Sequence, residues 1–228
     1  MPAANPMHPD VQREPAERIE RSRLRAIGFT ALMTLCAAAC ESEAPAPPSS
    51  PAVRSTTGFD WPVLEGWKHE TIPFPLDFAP GIPFHGVEEL RFAPGFFDPE
   101  ASEFWSYAFV WWLEDPPTFD APAISPVLRE YFAGLSLAVG KDKYPMDPDW
   151  FRVVLESRTE EGRTILVGQV HSYDAFVTGE KIVLNVEARL RDCPRAGRRA
   201  ITFLLSPKPL GDPVWGDLKA CESTLRCE

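Results

Sequence analysis

FWSYAFVWWLE, residues 104–114, places six aromatic side chains in eleven positions. Read with the two-residue period of a strand, Trp105, Tyr107, Phe109, Trp111 and Leu113 share one face. Phe104, Ser106, Ala108, Val110 and Trp112 share the other. One face is all large, while the other is small through its middle. A strand buried on both faces satisfies this pattern, because small residues admit a helix and large rings fill the space opposite. The spacing therefore predicts an internal strand of a sheet. The competing reading makes Trp105, Tyr107, Phe109 and Trp111 the lining of an apolar ligand cavity on the aromatic side.

On the N-terminal side, residues 67–74 and 86–93 read as strands interrupted by proline-bounded loops. On the C-terminal side, Val127, Leu128, Tyr131, Phe132, Leu135 and Val139 recur at spacings of three and four, which is one face of a helix. Ser125 and Pro126 suit its N-cap and first turn, and Gly140 its stop. Four β-rich runs follow, at 149–158, 163–176, 181–192 and 198–206, with a hairpin loop at 159–163. In the third, Ile182, Leu184, Val186, Ala188 and Leu190 alternate with Asn185, Glu187, Arg189 and Arg191, the mark of a half-buried antiparallel strand. A short helix closes the chain, with Asp212 as N-cap and Pro213 first inside. The order β-β-β-α-β-β-β-β-α predicts an α+β domain: a curved antiparallel sheet with helices packed on one face.

Charge limits the partners. The chain carries 23 basic and 33 acidic residues, a net charge of −10. Residues 1–39 hold five arginines and four acids, which leaves 18 basic and 29 acidic groups from residue 40 onward. Such a domain lacks the positive footprint that neutralises phosphates, so no nucleic-acid partner is expected.

The N-terminus reads as an address. Arg18, Arg21, Arg23 and Arg25 precede an apolar run at 26–39 that ends at Cys40. Basic residues, an apolar stretch and small residues before a cut are the parts of a secretory signal. The run is shorter than the roughly 20 residues of a permanent membrane span. TLCAAAC, residues 34–40, resembles the lipobox of bacterial lipoproteins. That resemblance implies that Cys40 carries the lipid (diacylglyceryl and palmitate) and that Ala39 is the last residue removed. Ala37 departs from the leucine preferred there, and Ala37 with Ala39 also makes an ordinary A-x-A cleavage site. Residues 41–58, ESEAPAPPSSPAVRSTTG, form a Pro/Ala/Ser-rich tether. Three segments result: an extension and signal peptide at 1–39, the lipidated cysteine and tether at 40–58, and one α+β domain at 59–228.

Once Cys36 leaves with the signal and Cys40 takes lipid, Cys193, Cys221 and Cys227 remain. An envelope compartment permits disulfides. A bridge from Cys193 to Cys221 or Cys227 would staple the C-terminal segment to the end of a strand. The folded part also resembles uncharacterised secreted bacterial proteins that share stretches like RFAPGFFDP (91–99) and SYAFVWWLE (106–114). No activity follows from that resemblance.

Catalytic motifs are absent: the chain has no G-x-S-x-G, H-E-x-x-H or phosphate-binding loop. GQVHSYDAFVTGE, residues 168–180, is the most polar run inside a strand-turn-strand. Gln169, His171 and Tyr173 share a face there, so His171 as base with Asp174 as orienter and Tyr173 beside it is the one candidate catalytic group. A strand end whose Asp174 starts the turn accounts for the same residues. His85 with Glu88 and Glu89 offers a single histidine, and the two carboxylates fall on opposite faces of a strand. Neither metal nor cofactor is expected. The functional expectation is a cell-envelope lipoprotein, membrane-bound through its lipid, with a non-catalytic domain that binds an apolar small molecule or an envelope protein. The alternatives are an envelope hydrolase using His171 and Asp174, or a purely structural envelope protein.

Overall fold

The aromatic stretch lies inside a seven-stranded sheet. The computed structural model describes residues 58–227, which belong to one compact unit, Ala52–Glu228. The signal, Cys40 and nearly all of the tether lie outside the described residues. In chain order the elements are β1 (Phe59–Asp60), β2 (Lys68–Pro73), β3 (Gly86–Phe92), β4 (Tyr107–Leu113) and helix α1 (Ala121–Gly140). A single 3-10 turn at Pro148–Trp150 leads to β5 (Arg152–Glu160), β6 (Arg163–Tyr173), β7 (Lys181–Cys193) and β8 (Arg198–Ser206). Helix α2 (Val214–Ser223) and β9 (Arg226–Cys227) complete the order. The large sheet runs β2-β3-β4-β8-β7-β6-β5 and every neighbouring pair is antiparallel. It is open, with β2 and β5 as edges. The α+β class, the antiparallel sheet and the order of its elements are those the sequence predicts.

β4 explains how the layers assemble. All seven of its residues are buried. Tyr107, Phe109, Trp111 and Leu113 join one core with Ile124, Leu128, Tyr131 and Phe132 of α1. Phe109 stacks on Phe203 of β8 with centroids 4.6 Å apart and on Tyr131 at 5.4 Å. Ala108, Val110 and Trp112 join a second core with Val214, Trp215, Leu218 and Cys221 of α2. The main helix covers one face, while the shorter α2 packs among the even-numbered residues of β4. Ala108 and Val110 make room for it there.

Local chemistry shifts some boundaries. Trp105 has a positive φ of 54°, in the left-handed region, so residues 102–105 form a turn and the strand starts at Tyr107. Helix α1 starts at Ala121, earlier than Ser125, because the Asp120 side chain accepts from the Ala123 amide at 2.8 Å. Ser125 instead donates to the Ala121 carbonyl at 2.7 Å. Helix α2 begins at Val214, so Pro213 rather than Asp212 takes the N-cap position, and Asp212, just before it, accepts from the Val214 amide at 3.1 Å.

Among the described residues β1 and β9 pair only with each other, Phe59 opposite Cys227. Two-residue strands carry no periodicity, so the sequence gives no sign of them. A disulfide joins Cys193, at the end of β7, to Cys227, with Cα atoms 5.5 Å apart, and Cys221 is free and buried. Of the two pairings left open by the sequence, the bridge to Cys227 is the one formed. Trp61 donates to the Cys221 carbonyl at 3.0 Å. Buried Arg91 stacks over Trp61 at 4.5 Å, donates to its carbonyl and pairs with Glu89 at 3.0 Å.

Candidate functional site

Helix α2 is ten residues long and lies over β4 and β8. Among the described residues its face of the sheet is therefore left open beyond β8. A groove of about 930 Å3 runs there, floored by β6 and β7 and walled by α2 and the β5–β6 turn. Alternation on β7 aims Glu187, Arg189 and Arg191 into this side, since Leu184, Val186 and Ala188 belong to the core under α1.

Arg189 is the centre of the groove. It donates to Glu222 of α2 at 3.0 Å, to Glu160 of β5 at 2.7 Å and to Glu187 at 2.6 Å. Lys219 of α2 reaches the other Glu187 oxygen at 3.3 Å. One guanidinium thus ties together three elements distant in sequence, as its fork of donors allows. Partial burial works against its charge, but the carboxylates outweigh this and raise its pKa. The hydrogen bond from Arg189 holds the Glu160 carboxyl below its usual range. Arg163, Arg191 and Asp192 extend the charged lining, and Thr164, Thr202 and Ser223 add hydroxyls. No histidine or cysteine lines it. This arrangement can orient a polar or zwitterionic molecule, and it presents no activated nucleophile.

The polar run predicted at the end of β6 is dispersed. His171 packs against Trp150, with ring centroids 4.9 Å apart, and its Nδ1 is buried without a partner. Burial lowers its pKa, with the Arg152 charge adding to the effect. Tyr173 accepts from the Asp147 amide at 3.0 Å. The Asp174 carboxylate accepts from the amides of Phe176, Val177 and Thr178 and from the Thr178 hydroxyl, so its oxygens shape the 174–180 turn. No hydrogen bond joins His171 to Asp174 among the described residues.

The aromatic candidates serve the core. Trp105, Tyr107, Phe109 and Trp111 are each at most 2% exposed, and their rings contact one another and neighbouring rings throughout. An apolar groove exists elsewhere, about 460 Å3 on the outer flank of α1, with Phe78, Leu137, Met146 and Phe151 in its lining. Gly134 fixes one wall: a Cβ there would sit 2.0 Å from the Phe78 carbonyl oxygen.

One acid is buried outright. Glu88 faces the aromatic core and accepts from the Trp111 indole at 3.1 Å, while its second oxygen has no hydrogen-bond partner. Glu89 faces the opposite side toward Arg91 and Thr71. Burial pushes the Glu88 pKa up to about 8, against the hydrogen bonds of Tyr131 and Trp111. His85 and these two acids do not converge, and no metal-holding cluster occurs among the described residues.

Sequence reading missed the Arg189 groove. Its only signal was the charged face of β7, which an ordinary solvated strand face shares. Among the described residues no helix is long and apolar enough to cross a membrane.

No protein-family model matches the sequence, and no curated protein matches it. Among solved structures, the chain is similar to cyanobacterial PsbP (CyanoP) from Synechocystis sp., at 11% identity and a TM-score of 0.36, over 76% of this chain and 89% of that one. It is also similar to LpqN, involved in cell envelope biogenesis of Mycobacterium tuberculosis, at 10% identity and a TM-score of 0.25, over 73% of this chain and 78% of that one. Likenesses at these TM-scores say nothing of activity or partners.

Proposed function

We propose that this chain is a cell-envelope lipoprotein whose folded domain is a non-catalytic binding module for a small polar ligand, held in the groove around Arg189. The groove carries the reading: its size suits a small molecule, and its lining supplies charges of both signs without a nucleophile. The signal-like N-terminus and the Cys193–Cys227 bridge support an oxidising compartment outside the cytoplasm. Cys40 would hold the lipid, and the tether would set the domain off from the membrane. The apolar groove on α1 supports a second reading, an apolar ligand beside half-exposed Leu137.

Intact and native mass spectrometry of the purified mature protein tests both parts. A diacylglyceryl mass on Cys40 is expected, together with a small polar adduct that is lost in Lys219→Ala and kept in Leu137→Ala. A bare Cys40 refutes the anchor. An adduct that survives Lys219→Ala and disappears in Leu137→Ala moves the site to α1.

A further inference from the structure

We propose that β5 is a dimerisation edge, on which a second copy of this chain adds its own β5 antiparallel. This goes beyond the ligand groove and does not depend on it. Among the described residues β5 pairs only with β6, and no strand lies along its other side. The strand is long and regular, without proline or bulge, and its pairing with β6 is unbroken from Arg152 to Glu160. Natural sheets protect such edges. The opposite edge, β2, ends in Pro73. On β5, by contrast, Val154 is 63% exposed, the largest exposed fraction among the large apolar side chains.

The β5–β6 turn fixes which groups face outward. Glu161 and Gly162 both have positive φ, 50° and 76°, and Glu160 opposes Arg163. In a two-residue turn of this type the closing pair exchanges both hydrogen bonds. Counting back by twos, Arg158, Glu156 and Val154 aim their backbone groups at β6. Thr159, Ser157 and Leu155 therefore aim theirs at the open edge.

Charge selects the register. Arg152, Val154, Glu156, Arg158 and Glu160 share one face of β5. A two-fold axis at Ser157 places each Glu156 opposite Arg158 of the other copy, twice over, in the close non-hydrogen-bonded pairs where side chains meet. Within one copy these same residues already pair, with Arg158 Nε 2.9 Å from Glu156 Oε1, and both are more than half exposed. An axis at Glu156 or Arg158 sets like charges against each other, and one at Leu155 opposes Arg152 to Arg158. An axis at Val154 pairs Arg152 with Glu156, but it joins only residues 152–156 before meeting the 3-10 turn. The Ser157 axis joins residues 154–160, all of them strand. The alternating charges that discourage a foreign strand are complementary to themselves over the longest run of strand when the axis lies at Ser157.

Oxidative cross-linking of the full chain, read on non-reducing gels, tests the axis. Ser157→Cys should link two copies, since opposed residues lie within disulfide reach. Thr159→Cys and Val154→Cys should not. Sedimentation should give twice the monomer mass for the unaltered protein. Glu156→Arg should lose the dimer, and the double swap Glu156→Arg with Arg158→Glu should restore it, with circular dichroism unchanged throughout. Monomeric unaltered protein, preferential linking at Thr159→Cys or Val154→Cys, or capture of a different protein at Ser157→Cys would each overturn the proposal.

Discussion

Glu88 shows how one side chain couples packing to pH. Its surroundings come from three elements: Trp111 and Tyr107 from β4, Tyr131 from α1 and Glu70 from β2. The two tyrosines are held well above their ordinary pKa by burial and stay neutral. Only the Glu70 charge acts on Glu88 from outside, and it too disfavours ionisation. A folded-state value of about 8 against 4.5 unfolded means that the native state binds the extra proton between those values. Stability therefore falls as pH rises from about 4.5 to about 8, by an amount on the order of 5 kcal/mol. Glu88→Gln, which stays neutral, should flatten that slope and be more stable than the parent at pH 8. Urea unfolding at pH 5, 6.5 and 8 measures it, and parallel slopes for the two proteins would rule the assignment out. The sequence hid this residue because GVEEL places one acid on each face of β3. Nothing in that stretch tells which face will lie beneath α1. Arg189 was hidden for a similar reason: its partners Glu160 and Glu222 lie 29 and 33 residues away in the chain.

At the scale of elements, the strands were the most legible part, because burial on two faces writes itself as a two-residue alternation. β4 is the clearest case. Its large face meets α1 and its small face meets α2, and Ala108 is wholly buried where that second helix comes close. Ala108→Leu should overpack this layer and cost about 1–3 kcal/mol. Near-ultraviolet circular dichroism, which senses Trp112 and Trp215 on that face, should change with it. A neutral substitution would mean that α2 sits too loosely to be set by β4. Boundaries were less legible than faces. Ser125-Pro126 and Asp120-Ala-Pro both carry the signs of a helix start, and only the bond from the Ala123 amide to Asp120 decides between them. Trp105 keeps the expected face in the core but leaves the strand, since its backbone turns where its side-chain chemistry does not.

The whole molecule is closed where the chain enters and leaves it. β1 is the first described element, directly after the tether, and it pairs with β9. β9 is held by the bridge from Cys227 to Cys193, 34 residues away, and by Arg191 donating to the Leu225 carbonyl at 2.6 Å. Phe59 meanwhile packs on Trp112 with centroids 4.8 Å apart. The sequence reduced the bridge to two pairings but showed neither β1 nor β9, which exist only through long-range contact. Burial pushes the Cys221 thiol up to about 12, which keeps it from attacking the neighbouring disulfide as a thiolate. Replacing both bridging cysteines with serine should cost about 4 kcal/mol from the chain entropy of a loop this long. The loss should be local before it is global. Amide exchange at Phe59 and Asp60 should speed up first, while β4, between β3 and β8, keeps its protection. Equal acceleration in β1 and β4 would mean that the bridge stabilises the domain as one unit rather than fastening its two ends.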